Sequence, residues 1–282
     1  MKVLVMLIRR EFWEHRALVI APLVVCVIYL ILSGFAAANV HMKGLHIGDG
    51  GATAITAFSF AMHVMFTGLL YLLTAIVTFF YLSDSLYAER KERSILFWKS
   101  LPVSDALTVI SKLLVALIMV PLVVYALSIA THVLVMLVFK VAGSVAPSGV
   151  TAPVWSWASW LKLNGYLIMD VFIFALWFAP VAAYVLLISV LVPRAPLVWT
   201  ILPPLALILG QGWLLGNWSI GSYVGYRLGA ISLGNPGRGV DAAVESINGL
   251  PVLSLPGLWI GVAVAVVLAY ATIRIRRHRD DS

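Results

Sequence analysis

Ionisable groups are scarce in this 282-residue chain, which is 62% hydrophobic and 11% charged, and many of them fall in one stretch. From Ser83 to Lys112 it reads SDSLYAERKERSILFWKSLPVSDALTVISK, gathering Asp84, Glu89, Arg90, Lys91, Glu92, Arg93, Lys99, Asp105 and Lys112. Charges placed between two apolar runs that can each cross a bilayer mark where a membrane-embedded chain meets the aqueous phase. Within the stretch, Ser94 to Trp98 (SILFW) is an apolar knob between Arg93 and Lys99. A solvated connecting loop has no need of Ile95, Leu96, Phe97 and Trp98, whereas a docking surface does, because an exposed apolar cluster calls for a partner. The chemistry to expect here is recognition of another protein.

Asp170 is the second residue that asks for a role. A carboxylate inside an apolar run is costly and often marks function. Three readings stay open: an outer gate or substrate contact, a hydrogen bond to a neighbouring span or interfacial water, and a proton relay. A relay wants further ionisable groups, and only His63 and His132 lie in the spans; these read as satisfied core residues. His41 and His46, with only Asp49 near, do not make a zinc site.

Catalytic signatures are missing from the sequence. It contains no G-x-x-x-x-G-K-[ST], hence no backbone nest and lysine to cradle a nucleotide phosphate, and no H-E-x-x-H or G-x-S-x-G. The chain therefore does not read as an enzyme, and any ATP hydrolysis must occur on a separate subunit. An intramembrane enzyme would need catalytic groups clustered at one depth, and the spans offer too few polar residues. The single cysteine, Cys26, excludes an intrachain disulfide. The net charge of +7 comes from basic residues flanking apolar runs, not from a stripe on a folded face, so nucleic acid is not an expected partner.

The elements that position these residues are helices. Apolar runs at about 17–38, 58–83, 107–139, 163–192, 197–215 and 252–273 predict an all-α integral membrane protein with six transmembrane helices, in one domain spanning residues 1–282. Residues 1–16, with Phe12 and Trp13 as anchors and arginines at lipid phosphates, are expected to lie along the interface. The second span continues past Ser83 without a breaker, and Glu89 precedes Arg93 by four residues in the favourable acid-first order. This helix is expected to protrude into water.

Leu101, Pro102, Val103 and Ser104 then stop one element and start another, with Ser104 or Asp105 as cap. Pro121 is expected to kink the third run and Pro203–Pro204 to break the fifth. Pro193 to Pro196 forms a tight connection. Trp155, Trp157 and Trp160 mark an outer interface. The Gly-rich region 216–249 is too apolar for a free loop and too interrupted for a span, so part of it is expected to re-enter the membrane or lie in the interface.

Six spans put both termini on one side. On that side fall fourteen of the nineteen Lys and Arg, against Lys43, Lys140, Lys162, Arg227 and Arg238 on the other. This asymmetry predicts cytoplasmic termini and a cytoplasmic 84–105 segment.

Glu89, Arg90, Ser94, Leu101, Pro102, Val103, Ser104 and Lys112 resemble the E-R-x-x-G-[ST]…P-[VL]-S…K pattern that follows the second span in permeases of the ABC-2 type, the membrane subunits of many ABC exporters. Arg93 stands where a Gly is usual. The motif covers about thirty residues, and the number and order of spans extend the resemblance along the chain.

The resemblance implies a cytoplasmic coupling helix between the second and third spans, docking on an ATP-binding subunit through Glu89, Arg90, Arg93, Ser94, Phe97, Trp98, Leu101, Pro102 and Ser104. It further implies an N-terminal elbow helix, a re-entrant hairpin between the last two spans and outward transport. Two ATPase copies would carry ATP and Mg, with none bound directly by this chain, and a second permease copy would complete the pathway as a homodimer or heterodimer. The location implied is the cell membrane, as in a bacterial inner membrane. Two rivals stand beside it: an ion-gradient-driven transporter using Asp170, which should carry inverted repeats, and a membrane subunit that only anchors or regulates a partner.

Overall fold

The computed structural model describes residues 2–43, 51–91, 103–145, 157–228 and 248–278. The described residues are helical throughout, with no strand among them. Helix α1 (Lys2–Glu14) turns at His15–Arg16 into α2 (Ala17–Lys43), and α3 (Gly51–Lys91) follows. Helix α4 (Asp105–Leu114) runs through a π-helical turn (Val115–Met119) into α5 (Val120–Val145). Then come α6 (Trp157–Leu191), α7 (Pro196–Leu215), α8 (Ser219–Leu228), a 3-10 turn (Leu250–Ser254) and α9 (Pro256–His278). Helices α2, α3, continuous α4–α5, α6, α7 and α9 are each long and apolar enough to cross a membrane, so the chain is a multi-pass membrane protein.

Helix α6 forms the spine, packing along α9, α3 and the π-turn, while α2 packs on α5 and α3. Leu70, Leu86, Val109, Val115, Val124 and Leu186 are buried where these helices meet. Helix α7 is the most exposed of the six spans, and its end carries Trp213, Leu214 and Leu215 outward.

Local chemistry explains the boundaries. The Ser104 hydroxyl accepts from the Leu107 N–H at 3.3 Å, so the expected N-cap of α4 is in place, with Asp105 in the first turn. Pro121 has no N–H, and its ring crowds the carbonyl of Leu117; the helix responds with the wider π-turn just before it. Ala195 takes a left-handed conformation (φ 52°) and Pro196 opens α7, which makes the connection after α6 as tight as expected.

The expected break at Pro203–Pro204 is corrected: α7 runs through both prolines. Pro204 leaves the carbonyl of Thr200 without its helical donor, and the Tyr184 hydroxyl of α6 donates to that oxygen at 3.3 Å. In a membrane helix such a neighbour restores what proline removes. Gly216, at φ 63°, ends α7 in the left-handed conformation a helix C-terminus favours. The chain then reverses, and Gln211 of α7 holds the start of α8 by donating to the Ser219 hydroxyl at 2.7 Å and accepting from the Ile220 N–H at 2.9 Å.

Candidate functional site: a buried charge cluster joining four helices

Helix α1 lays Leu7 and Glu11, one turn apart, against the bundle, and both are buried. The Glu11 carboxylate, 0% exposed, accepts from Lys112 Nζ of α4 at 2.9 and 3.1 Å, and Tyr81 of α3 donates its hydroxyl to Oε2 at 2.8 Å. Two turns along α3 from Tyr81, Glu89 receives three cations. Arg10 Nη2 lies 2.8 Å from Oε1, Lys112 Nζ 3.1 Å from Oε1, and Arg276 Nη1 of α9 2.7 Å from Oε2. Arg276 Nε also donates to Asp105 Oδ1 at 3.0 Å, and Arg10 Nε pairs with Glu14 at 3.1 Å.

One continuous ionic cluster thus ties α1, α3, α4 and α9. Because Arg10 and Arg276 meet the same carboxylate, the two terminal segments of the chain lie at one end of the bundle.

Burial sets the energetics. Lys112, Arg276 and Glu89 are only 1%, 3% and 6% exposed. Each such ion costs several kcal/mol to desolvate, and only paired, hydrogen-bonded geometry offsets that cost. Burial alone would lower the Arg10 guanidinium, and the carboxylates of Glu11, Glu89 and Glu14 outweigh it, holding Arg10 above its ordinary value. At His15, which packs edge-on against Tyr81 with ring centroids 4.8 Å apart, burial prevails and pushes the imidazole below its ordinary value.

Arg90, next along α3, points to a different helix. Its Nη2 donates to the carbonyls of Ser189 at 2.7 Å and Val192 at 2.9 Å. A cation there caps the C-terminal end of α6, where helix carbonyls lack partners and the dipole is negative. The Ser189 hydroxyl in turn accepts from the N–H groups of Leu86 and Tyr87 at 3.2 and 3.1 Å, locking α6 to α3.

Helix α3 continues past Ser83 to Lys91 as expected, but its end does not stand alone. Glu89 is clasped by three helices and Arg90 reaches a fourth, since their charges find partners that a solvated helix would lack. Ser104 caps α4 beside this cluster, whereas Arg93, Ser94, Phe97, Trp98, Leu101 and Pro102 lie outside the described residues. The arginines expected at lipid phosphates divide: Arg10 enters the cluster, while Arg9 lies over the Trp13 ring at 5.3 Å.

Sequence reasoning missed Arg10 and Arg276 as partners of Glu89, and Glu11 as the second carboxylate on Lys112. A signal was available, because Glu11 is a carboxylate one turn after Leu7 and so on the same face of the helix as that apolar residue.

The cluster contains no nucleophile poised beside a base. Glu11, Glu14 and His15 do bring ligand atoms within 4.8 Å of one another. Both Glu11 oxygens are already engaged by Lys112 and Tyr81, so these three side chains do not form an open metal site. What the arrangement can do is transmit force: displacing any one of four helices drags the other three.

Asp170 lies away from this cluster. Half-buried on α6, its Oδ1 accepts from the Gly249 N–H at 3.1 Å, just ahead of the 3-10 turn. Among the open readings, this hydrogen bond to a neighbouring segment is the one with a contact behind it. His63 and His132 lie with ring centroids 4.3 Å apart and planes tilted by 47°, and His132 Nε2 lies 3.2 Å from the Thr67 hydroxyl. Among the described residues no hydrogen bond connects Asp170 to that pair.

Arg227 of α8, in the Gly-rich region expected on the outer side, is buried against α6 and α9. It sits over the Trp177 ring at 4.7 Å and donates to the Trp177 carbonyl at 3.2 Å, the Tyr223 hydroxyl at 2.6 Å and the Gly257 carbonyl at 3.2 Å. Compared with known proteins, the chain matches no family model, no curated protein and no solved structure.

Proposed function

We propose that this chain is the permease subunit of an ATP-driven exporter of the ABC-2 type, pairing with a second permease copy and with two copies of a separate ATP-binding subunit. The observation that carries the reading is the position of Glu89 and Arg90. They end the helix that leads into the apolar knob at Ser94 to Trp98, and between them they hold α1, α4, α6 and α9. A partner pulling on the 84–105 segment as ATP closes its two nucleotide sites would pull on the membrane bundle, because ion pairs tie Glu89 and Asp105, near the two ends of that segment, to the helices.

In this reading the end carrying the termini faces the cytoplasm of a bacterial cell, as the Lys and Arg asymmetry favours. ATP and Mg belong to the partner. A gradient-driven mechanism through Asp170 is less favoured, since that carboxylate already serves the Gly249 N–H. A subunit that only anchors or regulates its partner would use the same docking segment.

The test is to purify the tagged chain in mild detergent from its host and identify what accompanies it. Copurification of a protein with nucleotide-binding motifs, lost when Phe97 and Trp98 are both changed to Ala, is the expected result. If the chain emerges alone where a known permease–ATPase pair stays together, the reading fails. With the pair in hand, Glu89→Gln is expected to leave ATP hydrolysis running while export falls, and unchanged export would remove the coupling role.

A further inference from the structure

A cavity of about 820 Å³ opens where the α1–α2 elbow meets α3 and the start of α7. Its apolar wall includes Val77 and Phe80 of α3 and Val198 of α7, and its polar rim holds Glu14, Arg16 and Asp84. Phe80 and Val198 are both half exposed, so this wall faces outward, toward the space around the bundle.

The depth of the cavity is fixed by the chain. Helix α2 begins at Ala17 and α7 at Pro196, and both residues line the cavity, as does Ser83 at the end of the second apolar run. Three spans therefore cross the membrane boundary at its walls, which puts hydrocarbon beside Phe80 and Val198 and headgroups beside Arg16 and Asp84.

The rim charges select among headgroups. Asp84 and Arg16 are exposed, and neither side chain has an ion pair or hydrogen bond among the described residues. Arg16 suits a phosphate diester, since guanidinium binds phosphate oxygens in bidentate fashion. Glu14 and Asp84 suit a cation next to that phosphate. Glu14 is already paired with Arg10 at 3.1 Å, so an anionic headgroup without an ammonium would satisfy Arg16 and leave Asp84 with no cation.

A trimethylammonium donates no hydrogen bond to a carboxylate. A primary ammonium donates three. We propose that this cavity binds the headgroup of phosphatidylethanolamine drawn from the surrounding bilayer, with the phosphate at Arg16, the ammonium at Asp84 and Glu14, and an acyl chain along Phe80 and Val198. This site requires only that the chain spans the membrane, so it stands or falls separately from the transport reading.

The experiment is native mass spectrometry of the full chain in detergent micelles containing equal mole fractions of phosphatidylethanolamine, phosphatidylglycerol and phosphatidylcholine. Expected is preferential retention of one phosphatidylethanolamine per chain, falling about tenfold in Asp84→Asn and in Arg16→Gln, as loss of one charge-assisted hydrogen bond requires. Arg277→Gln, on the exposed far side of α9, should retain the lipid as the parent does. Val198→Trp, which fills the cavity from α7 without touching the rim charges, should lower retention as well. Equal retention of the three lipids, preference for phosphatidylglycerol, or full retention in Asp84→Asn would each overturn the assignment.

Discussion

Lys112 Nζ lies 2.9 and 3.1 Å from the two carboxylate oxygens of Glu11, a hundred residues away in sequence, and both side chains are 1% exposed. Lys112→Met should cost about 3 kcal/mol, because it takes the nearest cation from the buried Glu11 carboxylate and leaves it only Arg10 at 3.4 Å. Glu11→Leu combined with Lys112→Met should recover part of that loss by removing that carboxylate. Thermal unfolding in a single detergent measures both, and equal stability of the single and double variants would contradict the pairing.

Arg90→Gln removes the charged donor from the Ser189 and Val192 carbonyls. Bonds from a charged donor contribute about 1.5–3 kcal/mol each, and a shorter neutral side chain should lose most of this. The accompanying sign is faster amide exchange at the C-terminal end of α6, read by hydrogen–deuterium exchange. Unaltered exchange there would show that the cap is dispensable.

A Cβ on Gly261 would run into Arg227 Nη2. Gly261→Ala should therefore destabilise the packing of α8 on α9 by about 1–3 kcal/mol. Arg227→Lys, which lacks the offending nitrogen, should be less harmful in the Gly261→Ala background than in the parent. Simple additivity of the two changes in melting experiments would refute the contact.

Asp170→Asn keeps an oxygen acceptor for the Gly249 N–H and should leave both stability and any transport nearly intact, whereas Asp170→Leu should lose about 1–3 kcal/mol by orphaning that donor. Abolished transport in a stable Asp170→Asn protein would instead point to a proton or ion passing through this carboxylate.

His15 gives the terminal end a pH dependence. Burial lowers its imidazole in the folded chain, so between that lowered value and the ordinary value of about 6.5 the unfolded chain binds the extra proton. Stability should be constant on this account above the ordinary value and fall on acidification through the window below it. His15→Gln should flatten that part of the melting-temperature profile, and an unchanged slope would assign the acid sensitivity to other groups.

Much of this fold is legible in the sequence wherever the cause is local. The six apolar runs became six membrane-length helices, Ser104 caps α4, and Pro193 to Pro196 turns tightly, because each depends on residues a few positions apart. Reasoning failed where the cause is distant. Pro203 and Pro204 look like a break until Tyr184 of α6 meets the Thr200 carbonyl. Glu89 looks like a surface acid with Arg93 as neighbour until Arg10, Lys112 and Arg276 converge on it from three other helices. Charge count fixes how many cations border the membrane, but only packing decides which of them turn inward, as Arg10 and Arg227 do.

The π-turn at Val115–Met119 works as a phase shifter within one long rod. At 3.6 residues per turn, one inserted residue rotates everything beyond it by about 100°. Lys112 before the turn and His132 after it are each 1% exposed, the first facing the ionic cluster and the second facing Thr67 on α3. Their azimuths agree with their partners only because of that insertion. Deleting a single apolar residue between 115 and 119 would leave the span just as greasy and nearly as long, yet would swing one of these two groups away from its partner.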